Sequence, residues 1–126
     1  MLKRLLFNSN RILLLLVSAV ILTFLSCGKD QIQPQDCTGI TPLYTVDIKP
    51  ILDASCAISG CHEAITHEQG KILSTYAGAF SASQTDDFLG SIQHKSGFDA
   101  MSKNAPKLSA DKIKLLSCWV QNGALE

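Results

Sequence analysis

From about residue 44 onward this 126-residue chain is predicted to fold as a small all-α domain. Three observations lead there. The stretch from Ser109 to Gly123 carries matched start and stop signals of a helix. Asp47 and Pro50 mark the start of another. Nowhere is there the sustained apolar/polar alternation that a half-buried strand needs.

The chain begins with a different kind of segment. Lys3, Arg4 and Arg11 form a positive start, and Ile12 to Leu25 is an almost unbroken apolar run of 14 residues. A bilayer span needs roughly 20. A charged start, a short apolar stretch and then a small residue read as a secretory signal over residues 1–26 rather than a retained membrane helix. Phe24-Leu25-Ser26-Cys27 follows and looks like a lipobox, the site where bacterial lipoproteins are cut before an acylated cysteine. Lipid on Cys27 makes the expected product anchored rather than free. Lys29-Asp30 resembles the start of an export signal of bacterial surface lipoproteins. Residues 27–43 are polar, Gln-rich and interrupted by Pro34 and Pro42, so they read as a tether. The domain is expected over 44–126.

Within it, Asp47 is expected as an N-cap, placing Ile48, Lys49 and Pro50 in the first turn, where proline's missing N–H costs nothing. An earlier start puts Pro50 where its N–H is needed. That helix leads into Cys56. A weaker helical pattern covers 70–80, with Ile72, Leu73, Tyr76 and Phe80 on one side. Asp86 is expected to cap a short helix through Phe88, Leu89 and Ile92, ended by Gly97 before the segment holding Met101. In the last helix Ser109 is the N-cap and Asp111 complements the dipole. Leu108 and Ile113 form a staple, and Ile113, Leu116 and Val120 continue one apolar face widened by Leu115 and Trp119.

Charge narrows the partners. Loss of the signal takes the basic residues from 11 to 8 against 11 acidic ones. No basic stripe remains, which argues against nucleic acid or an anionic membrane surface. A core this small gains from a staple, a metal or a buried cofactor.

With Cys27 assigned to lipid, four cysteines remain: Cys37, Cys56, Cys61 and Cys118. In an exported chain an even set suggests two disulfides, in one of three pairings. The segment Cys56-Ala57-Ile58-Ser59-Gly60-Cys61-His62 suggests another use. Covalent haem attachment takes two thiols for the two vinyl groups and a histidine directly after the second cysteine to bind the iron. The usual spacing is C-x-x-C-H. Here two further residues must loop out, and Ser59-Gly60 suits that because glycine takes positive φ freely. A zinc site is disfavoured, since it wants four ligands and no second pair is spaced for one. Met101 is the sole Met after the signal and sits in a loop flanked by Gly97, Ser102 and Asn104, a poor place for a core filler. It is the candidate sixth iron ligand, and Met with His raises the potential.

At this point the stretch from Asp47 to Ala124 resembles small class I-like cytochrome c domains of bacterial cell-envelope proteins. Asp47-Ile48-Lys49-Pro50-Ile51-Leu52 matches the family's "(D)-I-x-P-I-(L)" helix before the haem cysteines. Leu73 to Tyr76 matches its "l-x-x-Y" helix, and Met101 its Met-Pro loop, with Ser102 in place of the proline. Leu108-Ser109, Ile113, Trp119-Val120 and Gly123-Ala124 match its closing helix. The resemblance implies a fold of three to five helices around one covalent haem c, with the first and last helices crossing beside it. Cys56 and Cys61 would be the thioether cysteines and His62 the proximal ligand. Met101 would be the distal ligand, with His94 as the alternative. His67 reads as solvated. The resemblance also offers a Cys37–Cys118 disulfide.

The function so implied is a monohaem electron carrier, exported and lipid-anchored in the cell envelope. Its partners would be redox proteins there, with no small-molecule substrate required. Two other readings stand beside it: a non-haem lipoprotein interaction module stapled by Cys56–Cys61 and Cys37–Cys118, and a haem peroxidase.

Overall fold

The computed structural model describes residues 28–126. The signal over 1–26 and the lipid site Cys27 lie outside the described residues. Among those described, four α-helices are the main elements and no strand occurs. They are α1 (Lys49–Ser55), α2 (Tyr76–Ser83), α3 (Asp86–Ile92) and α4 (Ala110–Gln121). The all-α expectation holds, and no described helix is long and apolar enough to cross a membrane.

The entry into α1 differs from the N-cap expected at Asp47. The chain already turns at Tyr44–Ile48, in a wide π-type turn whose N-cap is Leu43. Ile48 N donates to Leu43 O at 3.3 Å, five residues back. Asp47 acts from inside this turn, its carboxylate accepting from Leu43 N at 2.9 Å. A proline ring clashes with the carbonyl four residues earlier in a regular helix. The wider i→i+5 turn shifts that carbonyl, so Pro50 is accommodated although the helical path starts early.

The expected helix over 70–80 starts later, at Tyr76. Residues 68–70 form a single 3₁₀ turn, and Lys71 is extended. Thr75 supplies the cap, its hydroxyl accepting from Gly78 N. Helix α3 begins at Asp86, but with Thr85 as N-cap and no side-chain cap bond. Helix α4 follows the expectation closely. Ser109 caps it by accepting from Lys112 N at 3.4 Å, and Gly123 takes φ +89° just beyond its end.

Helix α4 packs on the Tyr44–Ile48 turn and on α3, while α2 packs on α3. Ile48, Leu52, Leu116 and Trp119 are completely buried where these elements meet. Each such side chain contributes about 1.5–3 kcal/mol relative to exposure. Trp119 is the hub, with Tyr44 and Phe88 ring centroids at 6.1 and 6.4 Å. Its indole N–H donates to Leu125 O at 2.7 Å, and Tyr76 Oη donates to Ala124 O at 3.1 Å. The C-terminal residues are thereby folded back over the core.

Residues 28–43, expected as a tether, lie along the domain. Cys37 is bonded to Cys118 in α4 across 81 positions of sequence. Gln35 exchanges two hydrogen bonds with the Gln121 side chain, and Ile40 O accepts from the Asn122 amide. Ile32 packs against the core. The disulfide and these bonds between arm backbone and Gln121 and Asn122 side chains hold the segment against α4 and its end as an arm.

Candidate functional site

The site is built where α1 runs out. Cys56 is the C-cap of α1, and its departure from helical geometry sends the chain sideways. The loop then closes on itself. Cys61 N donates to Ile58 O at 3.0 Å, and His62 N donates to Cys56 O at 3.1 Å. Gly60, at φ +81°, makes the reversal that a side-chain-bearing residue would resist. The two additional residues of the motif are absorbed in this closed loop, and His62 returns beside Cys56.

Next, the loop is pinned from the other side. Leu73 N donates to His62 O at 2.8 Å and Glu68 N to Cys61 O at 2.9 Å. The Thr66 hydroxyl donates to Cys61 O at 3.1 Å. His62 is buried, and its Nδ1 lies 3.3 Å from Lys71 O. A carbonyl only accepts, so this contact assigns the ring proton to Nδ1 and leaves Nε2 with a free lone pair. Orientation of an imidazole by a backbone carbonyl on its far nitrogen is what a metal-binding histidine needs.

Cys56 and Cys61 are both free thiols. Burial, and secondarily the neighbouring Cys61, pushes the Cys56 thiol up to about 11, so it remains protonated at neutral pH. Cys61 is half-exposed.

Two cavities flank these residues. One, of about 250 Å³, is bounded by α3 and the following loop through Phe88, Ile92, Phe98 and Met101, with Lys29 and Lys71 among its polar lining. The other, of about 430 Å³, reaches Cys61, Ile58, Pro106 and Leu108. Cys56, His62, Gln69 and Met101 line both. One thiol, the imidazole and the thioether thus converge on the same hollow, with the second thiol on its rim. Cavities of a few hundred cubic ångströms with apolar walls and few polar groups are the usual setting for a cofactor.

Met101 is half-buried and held by its backbone, its N–H donating to Ser91 O at 3.1 Å. His94, the alternative ligand, is exposed and lines neither cavity. Its Nε2 lies 2.7 Å from Met101 O, so it braces the loop instead of facing the hollow. His67 is exposed, at φ +30°. Among the described residues no group of three or more His, Cys, Asp or Glu side chains is placed to hold a metal ion.

No protein family, curated protein or solved structure matches this chain. The site therefore rests on its residues alone.

Gln69, Lys71 and Lys29 joined the site only in three dimensions. Lys71 acts through its carbonyl, which every residue carries, so sequence holds no signal for it. Gln69 reaches both cavities from a left-handed position at φ +54°, and nothing in its neighbours announces this. The Cys37–Cys118 disulfide lies apart from the cavities and ties the arm to α4.

Proposed function

We propose that this chain is a monohaem c-type cytochrome that carries electrons between redox proteins of the cell envelope, anchored through lipid on Cys27. The observation that carries the reading is the convergence of Cys56, buried His62 and Met101 on one apolar hollow, with His62 Nε2 left free. Cys56 and Cys61 would hold the haem by thioether bonds, and His62 and Met101 would bind its iron. A bound haem supplies a one-electron couple, and its potential follows its axial ligands and its exposure.

The chain's own residues do the rest. The loop closed by the His62 N to Cys56 O bond keeps a thiol and the imidazole side by side. Lys71 O orients the ring and fixes its tautomer. Phe88, Ile92, Leu73 and Phe98 give the hollow an apolar wall beside the His62 ring. Met101 is favoured over His94 as sixth ligand because only Met101 borders the hollow. The stapled-module reading calls for a Cys56–Cys61 bridge, whereas both sulfurs are thiols here.

The decisive experiment is expression with a haem-attachment apparatus and a pyridine haemochrome spectrum of the denatured protein. A covalent haem signal that disappears in Cys56→Ala/Cys61→Ala is expected. A colourless protein overturns the reading in favour of the interaction module. Low-spin spectra resistant to low cyanide separate a carrier from a peroxidase, which needs an open sixth position.

A further inference from the structure

The loop from Gln93 to Ser109 has no regular element, yet it carries Met101. A stretch of that length needs fastening to present one side chain reproducibly. Its inner face is held by its own surroundings. Met101 N is bonded to Ser91 O, and the Ser102 hydroxyl donates to Ser55 O at 3.3 Å.

Its outer face is held by the arm. Asp30 N donates to Ser96 O at 3.0 Å, and Ser96 N donates back to the Asp30 carboxylate at 3.0 Å. Lys29 Nζ lies 2.9 Å from Asp87 Oδ1 and 4.4 Å from the centre of the Phe98 ring. The Lys29 ammonium, by hydrogen bond and then by charge, holds the Asp87 carboxyl below its ordinary range. Gly97 stands at φ +85°, and a Cβ there would come within 2.9 Å of Lys29 Cα. The two backbones therefore meet at a contact that only glycine allows. Lys29, Asp87, Gly97 and Phe98 all line the same cavity as His62 and Met101.

We propose that Lys29 and Asp30 form a latch that fixes the 96–98 loop and, through it, positions Met101 at the cavity. This deepens the haem reading and rests on it for the role of Met101. Lys29 and Asp30 are positioning residues: they act on Met101 through the 96–98 loop. The latch is local in cost because the arm is fixed again at Cys37 by its bond to Cys118, so only a short segment must close. Lys29-Asp30, which in sequence resembled an export signal, has by this account a task inside the fold.

The test uses the full chain carrying haem, titrated with cyanide as a competitor for the sixth position. Apparent affinity for such a ligand scales with the fraction of molecules in which Met101 has let go. A hydrogen bond to a charged group is worth roughly a factor of ten or more in such an equilibrium. Lys29→Ala/Asp30→Ala is expected to bind cyanide about tenfold more tightly on that scale. Lys29→Arg/Asp30→Asn, which keeps a cation over Phe98 and an acceptor for Ser96 N, is expected to behave as the parent. Equal cyanide affinity in the parent and the double-alanine chain overturns the latch. A lowered unfolding midpoint in the double-alanine chain, with no return of parental cyanide affinity in the conservative pair, marks a merely structural loss and overturns the latch. The second measurement is amide exchange on the haem-free chain. The Ser96 amide is expected to exchange about tenfold faster or more in Asp30→Ala, and unchanged protection also overturns the proposal. Failure of covalent haem attachment in the parent sinks the cytochrome reading instead, and the exchange measurement then decides the latch by itself.

Discussion

His62 Nδ1 lies 3.3 Å from the carbonyl oxygen of Lys71, nine residues later in the chain. That contact makes a buried imidazole a directed one, with Nε2 aimed away from the backbone that holds it. The haem reading therefore makes a sharp demand on His62. In His62→Ala, any haem attached through Cys56 and Cys61 should lose its six-coordinate low-spin spectrum, and added imidazole should restore it by occupying the vacated space. Optical spectra with and without imidazole check this. An unchanged low-spin spectrum in the variant would remove His62 as ligand.

The arm and α4 are held together by Cys37–Cys118, which closes a loop spanning 81 positions. Cross-linking over such a length removes much of the unfolded chain's freedom, so its loss costs about 2–5 kcal/mol. Cys37→Ala/Cys118→Ala should show a clear fall in denaturant midpoint with little change in helix content. The parent should respond to reductant in the same direction, and the variant should not.

Cys56 makes stability depend on alkaline pH. Burial raises its thiol from 9.0 to about 11 in the folded chain. The folded state thus retains a proton that the unfolded state releases. Its contribution is fully present below pH 9 and is lost as pH rises toward 11, by about 2–3 kcal/mol in total. Unfolding of the haem-free chain followed from pH 8 to 11 should show this loss, and Cys56→Ala should flatten it. At neutral pH an alkylating reagent should modify the half-exposed Cys61 before Cys56.

Phe98 lies directly over Gly90 in α3, so closely that a Cβ on Gly90 would overlap the ring. Gly90 is therefore required by space rather than by turn geometry, since it sits within a helix. Gly90→Ala should displace Phe98 from the cavity wall and destabilise the protein by about 1–3 kcal/mol, despite alanine's better helix propensity. Thermal or urea unfolding reads the sign: a stabilised variant would show that Phe98 moves aside at no cost.

Local signals were enough for much of this fold. Helix α4 was legible from Ser109 to Gly123 because its cap, dipole partner, apolar face and stop residue are all local. Cys56, Cys61 and His62 were legible as a group because their chemistry depends on close spacing. The start of α1 was misplaced because a π-type turn relieves the proline clash, and such turns leave no periodic mark. The 70–80 pattern starts ahead of the real helix because its apolar spacing begins at Ile72 and Leu73, upstream of Thr75, which provides the cap.

What the sequence by itself determined is the helical class and the identity of the candidate side chains. Both follow from local propensity and from residue identity. Only the tertiary structure decided how these side chains meet. It put Met101 on the hollow and turned His94 outward, because the Met101 N–H donates to Ser91 O and the Met101 carbonyl accepts from the His94 ring. It supplied Lys71 O, an acceptor that any residue could offer, and it laid the supposed tether along the domain as an arm. Those outcomes depend on contacts between residues far apart in the chain, such as Cys37 with Cys118 and Asp30 with Ser96. Their closeness is settled by packing, hydrogen bonding and a covalent bond together, which no single stretch of sequence encodes.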